Sequence, residues 1–349
     1  MLEIDFDRLR PIGMTPAVAQ ALSQLEGEEG NVVRVTEVQR ETVLVHDGKE
    51  EFVARVAPAL QRPSAHGSAL AVGDWGVVHE SGGKWLARTI APLTHLARRA
   101  PDGGRQALVH NVDTAFLLMG LDGDFNPRRI ERYLALVQPA GIWPVIVLTK
   151  LDCVPDGSER VDSLRARIPA DVPLIAVDGT SHAAAEALAP YLDEGRTVVL
   201  LGSSGAGKST LTNTLAGMEL QSIGAVRADD SRGRHTTTTR TLRVLSGRAC
   251  VIDTPGLRGL QPDIGADELS ASFGDIDALR QRCRFRDCKH REEPGCAVRA
   301  EIDADRLANF HKLQRELGRD QMSPLARQQW QQQMKVRTRA MRLRLREKR

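Results

Sequence analysis

Gly202-Ser203-Ser204-Gly205-Ala206-Gly207-Lys208-Ser209 leaves few architectures open to this chain. The apolar run that precedes it, residues 196–201, reads as a buried strand, and the residues from Thr210 to Leu215 continue as a helix. Strand, glycine-rich turn and helix in that succession make the G-x-x-x-x-G-K-S pattern a phosphate-binding loop. Glycines let backbone N–H groups curl around phosphate oxygens, a lysine reaches the outer phosphates, and a serine hydroxyl ligates Mg²⁺. Lys208 and Ser209 stand in those last two places. A glycine-rich turn that binds nothing is the competing reading, and the flanking strand and helix argue against it. A nucleoside triphosphate is the expected ligand, and an α/β sheet the expected support.

Thr149-Lys150-Leu151-Asp152 follows the apolar run Trp143-Pro-Val-Ile-Val-Leu148, so it stands at the carboxyl end of a predicted strand. Open α/β sheets bind their ligands at that end. A carboxylate at Asp152 can accept from both N1–H and the 2-amino group of guanine, a bidentate match that adenine does not offer. The motif resembles the guanine-reading N/T-K-x-D signature of GTPases, with Thr149 where most carry Asn. Downstream, Gly233-Arg234-His235-Thr236-Thr237-Thr238-Thr239 resembles a switch loop whose threonine closes over Mg²⁺. Thr237 is the expected ligand, with Thr236 left open as its neighbour. Val251-Ile252-Asp253-Thr254-Pro255-Gly256 resembles the D-x-x-G element, in which Asp253 would hold Mg²⁺ through water and the Gly256 amide would sense the γ-phosphate.

An ordinary GTPase runs phosphate loop, switch threonine, D-x-x-G and then base-reading motif. Here the base-reading motif comes first. The chain is therefore expected to be circularly permuted, which a compact sheet with close termini tolerates. The D-x-x-G element then leads directly into the C-terminal region instead of returning to the core.

That region carries Cys283-x₄-Cys288-x-His290-x₅-Cys296, three of the five cysteines and one of the nine histidines within fourteen residues. Three thiolates and an imidazole match a closed tetrahedral zinc site. Without an evident secretion signal, disulfides are the weaker reading. Cys250 reads as a small buried hydrophobe.

Taken together, T-K-x-D, phosphate loop, G-R-H-T-T-T, D-T-P-G and C-x₄-C-x-H-x₅-C resemble the ribosome small-subunit-dependent GTPase A family over residues 30–320. The resemblance implies GTP and GDP as ligands with Mg²⁺, and one structural Zn²⁺ per chain. It also implies the small ribosomal subunit and its rRNA as partner, hydrolysis stimulated there, late subunit maturation as the task, and release on hydrolysis. A nucleotide-gated RNA-binding scaffold, in which hydrolysis is incidental, is the rival reading. The base-supporting Ser-Ala of the family appears here as Val177-Asp178-Gly179. Leu257 stands where many GTPases carry a water-orienting glutamine, so the intrinsic rate should be low, because phosphoryl transfer depends on positioning. The resemblance gives the orienting role to His235, whose other reading is an ordinary loop histidine. The expected catalytic set is thus His235, Lys208 and Thr237.

The expected organisation is multidomain. A flexible or helical leader (1–31) precedes an OB-fold-like β-barrel (32–95), read from short strands separated by Asp47-Gly48 and Ser81-Gly82-Gly83. A permuted α/β P-loop GTPase domain follows (96–262), with 94–104 reading as the linker into it. A mostly helical zinc-binding domain (263–320) and a basic tail (321–349) complete the chain. Arg34, Arg40, Lys49, Arg55, Arg62, Lys84 and Arg88 are spread through the barrel, some of them expected on RNA phosphate or else merely solvated. Residues 331–349 hold eight Lys/Arg and one acidic residue, a net +7 in a chain whose total is +3. Such a tail reads as a polyanion-binding arm or as a solvated helix. No apolar run approaches a membrane span. The acidic amino terminus is unlike a secretory signal, so a cytoplasmic monomer with no membrane partner is expected.

Overall fold

The computed structural model describes residues 2–25, 29–61, 69–99, 105–220, 240–245, 247, 249–254 and 265–320. The chain divides into two compact units, Met1–Asp263 and Ile264–Arg349.

The first unit opens with α1 (Phe6–Leu9) and α2 (Pro16–Ser23). Asp5 and Thr15 cap them by accepting the Arg8 and Val18 amides at 3.1 and 3.3 Å. The leader, expected as flexible or helical, is helical where described, and it is packed: Leu9, Ile12, Met14, Val18 and Leu22 share a core with Val32, Trp75 and Ile90. The apolar periodicity of 9–22 was the signal for this, masked by the acidic residues on either side of it.

Five strands follow: β1 (Asn31–Val38), β2 (Thr42–His46), β3 (Glu51–Val56), β4 (Trp75–Glu80) and β5 (Lys84–Thr89). They close into a barrel in the order β1-β2-β3-β5-β4. The pairs are antiparallel except β3–β5, whose parallel contact closes the ring. Val33, Val35, Val43, Val45, Ala54, Val56, Val78 and Leu86 fill its interior with the alternation a strand requires. Arg34 corrects one expectation. It is fully buried, its guanidinium donating to the Ile12 and Asn111 carbonyls at 2.6 and 2.9 Å, and it cannot meet RNA. The expected linker is also replaced by structure: β6 (His95–Arg99) and β7 (Arg105–His110) pair as an antiparallel ribbon. Its His110 ring stands between Asp74 and His95, at 2.6 and 2.7 Å.

The remainder of the unit alternates strands and helices. In order they are β8 (Thr114–Gly120), α3 (Pro127–Val137), β9 (Trp143–Thr149), α4 (Gly157–Arg165), β10 (Leu174–Ala176) and α5 (His182–Leu188), then β11 (Thr197–Gly202), α6 (Lys208–Leu220), β12 (Thr241–Val244) and β13 (Cys250–Asp253). The sheet order is β10-β9-β8-β11-β13-β12, parallel throughout except for the edge strand β12. Every residue of β8 and β11 is buried, as befits central strands covered on both faces. Because the strands run parallel, the ends of β8, β9, β11 and β13 emerge along one edge.

The second unit is helical: α7 (Ala266–Ser272), α8 (Gly274–Arg280), α9 (Ala297–Glu301) and α10 (Ala304–Asp320). Leu269, Phe273, Ile276, Val298, Leu307, Phe310, Leu313 and Leu317 are its buried apolar side chains. The Phe273 and Phe310 rings lie 5.2 Å apart. Arg306, itself buried, grips Asp275 through two nitrogens at 2.8 Å each.

Candidate nucleotide site and metal centre

β11 ends at Gly202, and the chain turns through Ser203–Gly207 into α6. Gly205 and Gly207 adopt φ of +88° and +84°, a conformation that side chains rarely take, so the turn requires glycine at both. Lys208 folds back over the turn and donates to the Gly202 and Ser203 carbonyls at 3.1 and 2.8 Å. Burial lowers its pKa, and the nearby carboxylates of Asp253 and Asp124 oppose that shift. Ser204, Ser209 and Thr210 are exposed at the mouth, while Ser203 and Ala206 are buried.

β9 delivers the base-reading motif to the same edge. Thr149 is buried, and its hydroxyl donates to the Ala206 carbonyl at 2.9 Å, joining the motif to the phosphate loop. That contact also explains the residue: threonine here ties two loops. Lys150 takes a left-handed φ of +63° and pairs with Asp122 at 2.7 Å. The Lys150 ammonium holds the Asp122 carboxyl below its usual range. Asp152 lies exposed in the short turn Leu151–Cys153, its carboxylate accepting the Cys153 thiol at 3.2 Å. Val177-Asp178-Gly179 stands beside it. The Leu151 amide donates to the Val177 carbonyl at 3.3 Å, and the Asp178 carboxylate accepts the Thr180 amide and hydroxyl at 2.9 and 2.6 Å.

Asp253 ends β13 opposite Leu200 of β11, and the Thr254 hydroxyl fastens the strand's exit by donating to the Leu200 carbonyl at 2.6 Å. Burial raises the Asp253 pKa, against the pull of Lys208 and Arg243. The structure thus brings Thr149, Lys150, Asp152, Gly202–Thr210 and Asp253 to one edge. His235, Thr236, Thr237, Gly256, Leu257 and the basic tail lie outside the described residues.

Sequence reasoning missed the loop Gly120–Asp124 at the end of β8. Asp124 accepts Ser203 Oγ and an Arg129 nitrogen, each at 2.6 Å. Two carboxylates immediately after a buried strand, Asp122-Gly-Asp124, were the available signal.

In the helical unit, the ligand atoms of Cys283, Cys288, His290 and Cys296 all lie within 4.8 Å of one another. The Cys283–Cys296 sulfurs are 3.9 Å apart, and His290 Nδ1 is 3.6 and 3.4 Å from those two sulfurs. Tetrahedral zinc with bonds of about 2.3 Å to sulfur and about 2.05 Å to nitrogen spaces its ligands at about 3.8 and 3.6 Å. The cluster fits that ion, with Nδ1 as the nitrogen facing it. Two turns make the approach. His290 has φ of +57° and Gly295 φ of +74°, and a Cβ on Gly295 would stand 3.1 Å from Arg284 Cβ. The Glu293 carboxylate accepts the amides of Lys289, Arg291 and Glu292 at 3.1, 2.8 and 3.0 Å and so closes the ligand loop.

Comparison with known proteins bears on both sites. Residues 90–263 match the family model described as RsgA GTPase. The small ribosomal subunit biogenesis GTPase RsgA of Xanthomonas oryzae pv. oryzae (strain MAFF 311018) is 46% identical over 294 residues, covering 81% of this chain and 80% of that protein. The protein of the same name from Xanthomonas axonopodis pv. citri (strain 306) gives the same identity and coverage. Among solved structures, YjeQ from Thermotoga maritima aligns with a TM-score of 0.60 at 24% identity, covering 82% of this chain and 98% of that one. YloQ, titled a circularly permuted GTPase, aligns with a TM-score of 0.56 at 23% identity, covering 86% of this chain and 99% of that one. These two likenesses establish the permuted fold.

Proposed function

The chain belongs to the RsgA GTPase family, and from that footing we propose that it hydrolyses GTP in the maturation of the small ribosomal subunit, is activated by that subunit, and leaves it on hydrolysis. The observation that carries the reading is the Thr149–Ala206 hydrogen bond of 2.9 Å, which ties a guanine-type base motif to a phosphate loop on one sheet edge. The relatives' names, which specify biogenesis of the small subunit, support the choice of partner.

Asp152 would accept the two N–H donors of guanine, flanked by Thr149 and Lys150 and backed by Val177–Gly179. The backbone of Gly202–Gly207 would wrap the phosphates, with Ser203, Ser204 and Ala206 supplying amides. Lys208 would exchange its two carbonyl partners for phosphate oxygens, a gain for an ammonium whose burial is otherwise unfavourable. Bound Mg²⁺ neutralises charge building on the β- and γ-phosphates. Ser209 and Thr237 would ligate it, and Asp253 would face it through water. The Gly256 amide would sense the γ-phosphate. His235 would orient the attacking water, whose oxygen bonds to the γ-phosphorus as the bridging oxygen departs with GDP. With leucine at 257 in place of a glutamine, the intrinsic rate would be low, and subunit binding would raise it. The Cys283, Cys288, His290 and Cys296 set would hold zinc as a structural brace. The chain has no described helix long and apolar enough to cross a membrane.

The domain boundaries 32–95, 96–262 and 263–320 are proposed on the same footing, with the segment 321–349 as an rRNA-seeking arm. GTP hydrolysis with and without small subunits, at low and high salt, tests the whole. Strong stimulation that fades with salt is expected. No stimulation with intact subunits and bound GTP would overturn it in favour of a scaffold. A His235→Ala variant separates the two, because a cycling GTPase would then stay on the subunit and a scaffold would be unaffected.

A further inference from the structure

The loop Gly120–Asp124 belongs to neither nucleotide motif, yet it touches both. Asp122 Oδ2 accepts the Lys150 ammonium at 2.7 Å, and Asp122 Oδ1 accepts the Asp124 amide at 3.1 Å. Two residues on, Asp124 Oδ2 accepts Ser203 Oγ at 2.6 Å. Arg129, from the first turn of α3, closes a triangle: one nitrogen donates to Asp124 Oδ1 at 2.6 Å and to Ser203 Oγ at 2.9 Å. Ser203 then passes the constraint on, since its carbonyl accepts Lys208 at 2.8 Å. Arg160 pins the loop from behind by donating to the Leu121 and Asp122 carbonyls. A Cβ at Gly120 would stand 2.5 Å from Asp122 Oδ1, so any larger residue there would displace that carboxylate.

The Asp124–Arg129 pair is sheltered, at 18% and 25% exposure, and Ser203 is buried. Charge-assisted bonds held in that way fix geometry better than a solvated surface pair does. We infer that Gly120–Asp124 is a positioning bracket for the nucleotide: Asp122 sets the base-reading loop through Lys150, and Asp124 sets the phosphate loop through Arg129 and Ser203. One rigid loop thereby fixes the spacing between guanine and phosphates. None of its side chains needs to touch the reacting atoms. The inference rests on reading this edge as the guanine-nucleotide site.

The test compares GDP with guanosine, which has the base and no phosphate, in equilibrium competition, alongside steady-state GTP hydrolysis. Asp124→Asn and Arg129→Gln should each weaken GDP about tenfold, the size of one lost charge-assisted bond. Guanosine affinity should stay within about twofold, and KM should rise with the GDP constant while kcat holds within about twofold, the mark of uniform binding. Arg129→Lys should restore most of the loss, because a single nitrogen makes both contacts. Asp122→Asn should weaken GDP and guanosine alike. Unchanged GDP affinity in Asp124→Asn and Arg129→Gln overturns the bracket, as does an equal loss of guanosine in those two variants. Thermal unfolding checks each protein, and the near-isosteric Asp124→Asn carries the test if Arg129→Gln does not fold. A wild-type chain that binds no GDP would overturn the function itself, a different result from failure of the bracket alone.

Discussion

The sheet edge and the cysteine cluster both gather polar side chains for a ligand, but they are held in opposite ways. At the edge the groups already have protein partners: Lys208 on two carbonyls, Thr149 on Ala206, Lys150 on Asp122. Behind them lie buried strands with apolar cores on both faces. In the helical unit, Cys283, His290 and Cys296 face one another at 3.4–3.9 Å, and thiols so placed bond weakly to each other. The lesson is one of order. The edge can exist before its ligand, whereas the cluster would acquire its strength from an ion that filled it.

Metal removal should break that contrast most visibly. Chelation, or Cys288→Ser, is expected to unfold the ligand loop and its helices, since structural zinc is worth about 10–16 kcal/mol in small zinc-finger peptides. Metal analysis should find one zinc per chain in the wild type and none in the variant, with helical circular dichroism falling and GDP binding retained. A metal-free wild type that kept its full helical signal would refute the assignment.

Lys208→Ala should do the reverse. GTP affinity is expected to fall about a hundredfold or more, as several charge-assisted contacts are lost. The melting temperature should hold, because the removed ammonium is one that burial disfavours. Calorimetry reads both numbers on one sample.

Asp152→Asn sharpens the comparison at the base. GTP should weaken about tenfold or more while xanthine nucleotides gain, their 2-oxo group no longer seeking a carboxylate. Equal GTP affinity in the variant would remove Asp152 from the site.

The smallest effect concerns acid. Bonds from its own amide and from those of Arg291 and Lys289 pull the Glu293 carboxyl down to about 2. A depressed carboxyl stabilises the fold above its ordinary range, and that contribution fades only as the pH falls towards about 2. Glu293→Ala should therefore lower zinc retention about threefold, by a factor that stays constant from neutral pH to pH 5. A difference that vanished near pH 5 would show that the carboxylate is not so held.

Much of this was legible in the residues. Local pattern gave the phosphate loop, because backbone freedom at Gly205 and Gly207 must be written into the sequence. The T-K-x-D run and the four-residue Cys/His cluster were legible for the same reason, each being a short run whose chemistry is complete in itself. The bracket was not, since Asp124, Arg129 and Ser203 meet only after β8 and β11 pair, and no spacing along the chain encodes that. Arg34 misled because charge in a strand reads as surface; its acceptors lie 22 and 77 residues away. The stretch 94–104 has the look of a linker because Pro101, Gly103 and Gly104 cluster in its sequence.

Arg34 also bears on whether the barrel could ever travel alone. Its charge is accommodated in part by one carbonyl from the segment before β1 and another from the turn before β8. Cut out at its own strand ends, the barrel would keep the cation and lose both acceptors. A gene fragment encoding those five strands would instead open to water the face that carries Arg34, Val32 and Trp75. The barrel is a lodger built into the walls, and its exchange between proteins would have to begin with a new cover for that face.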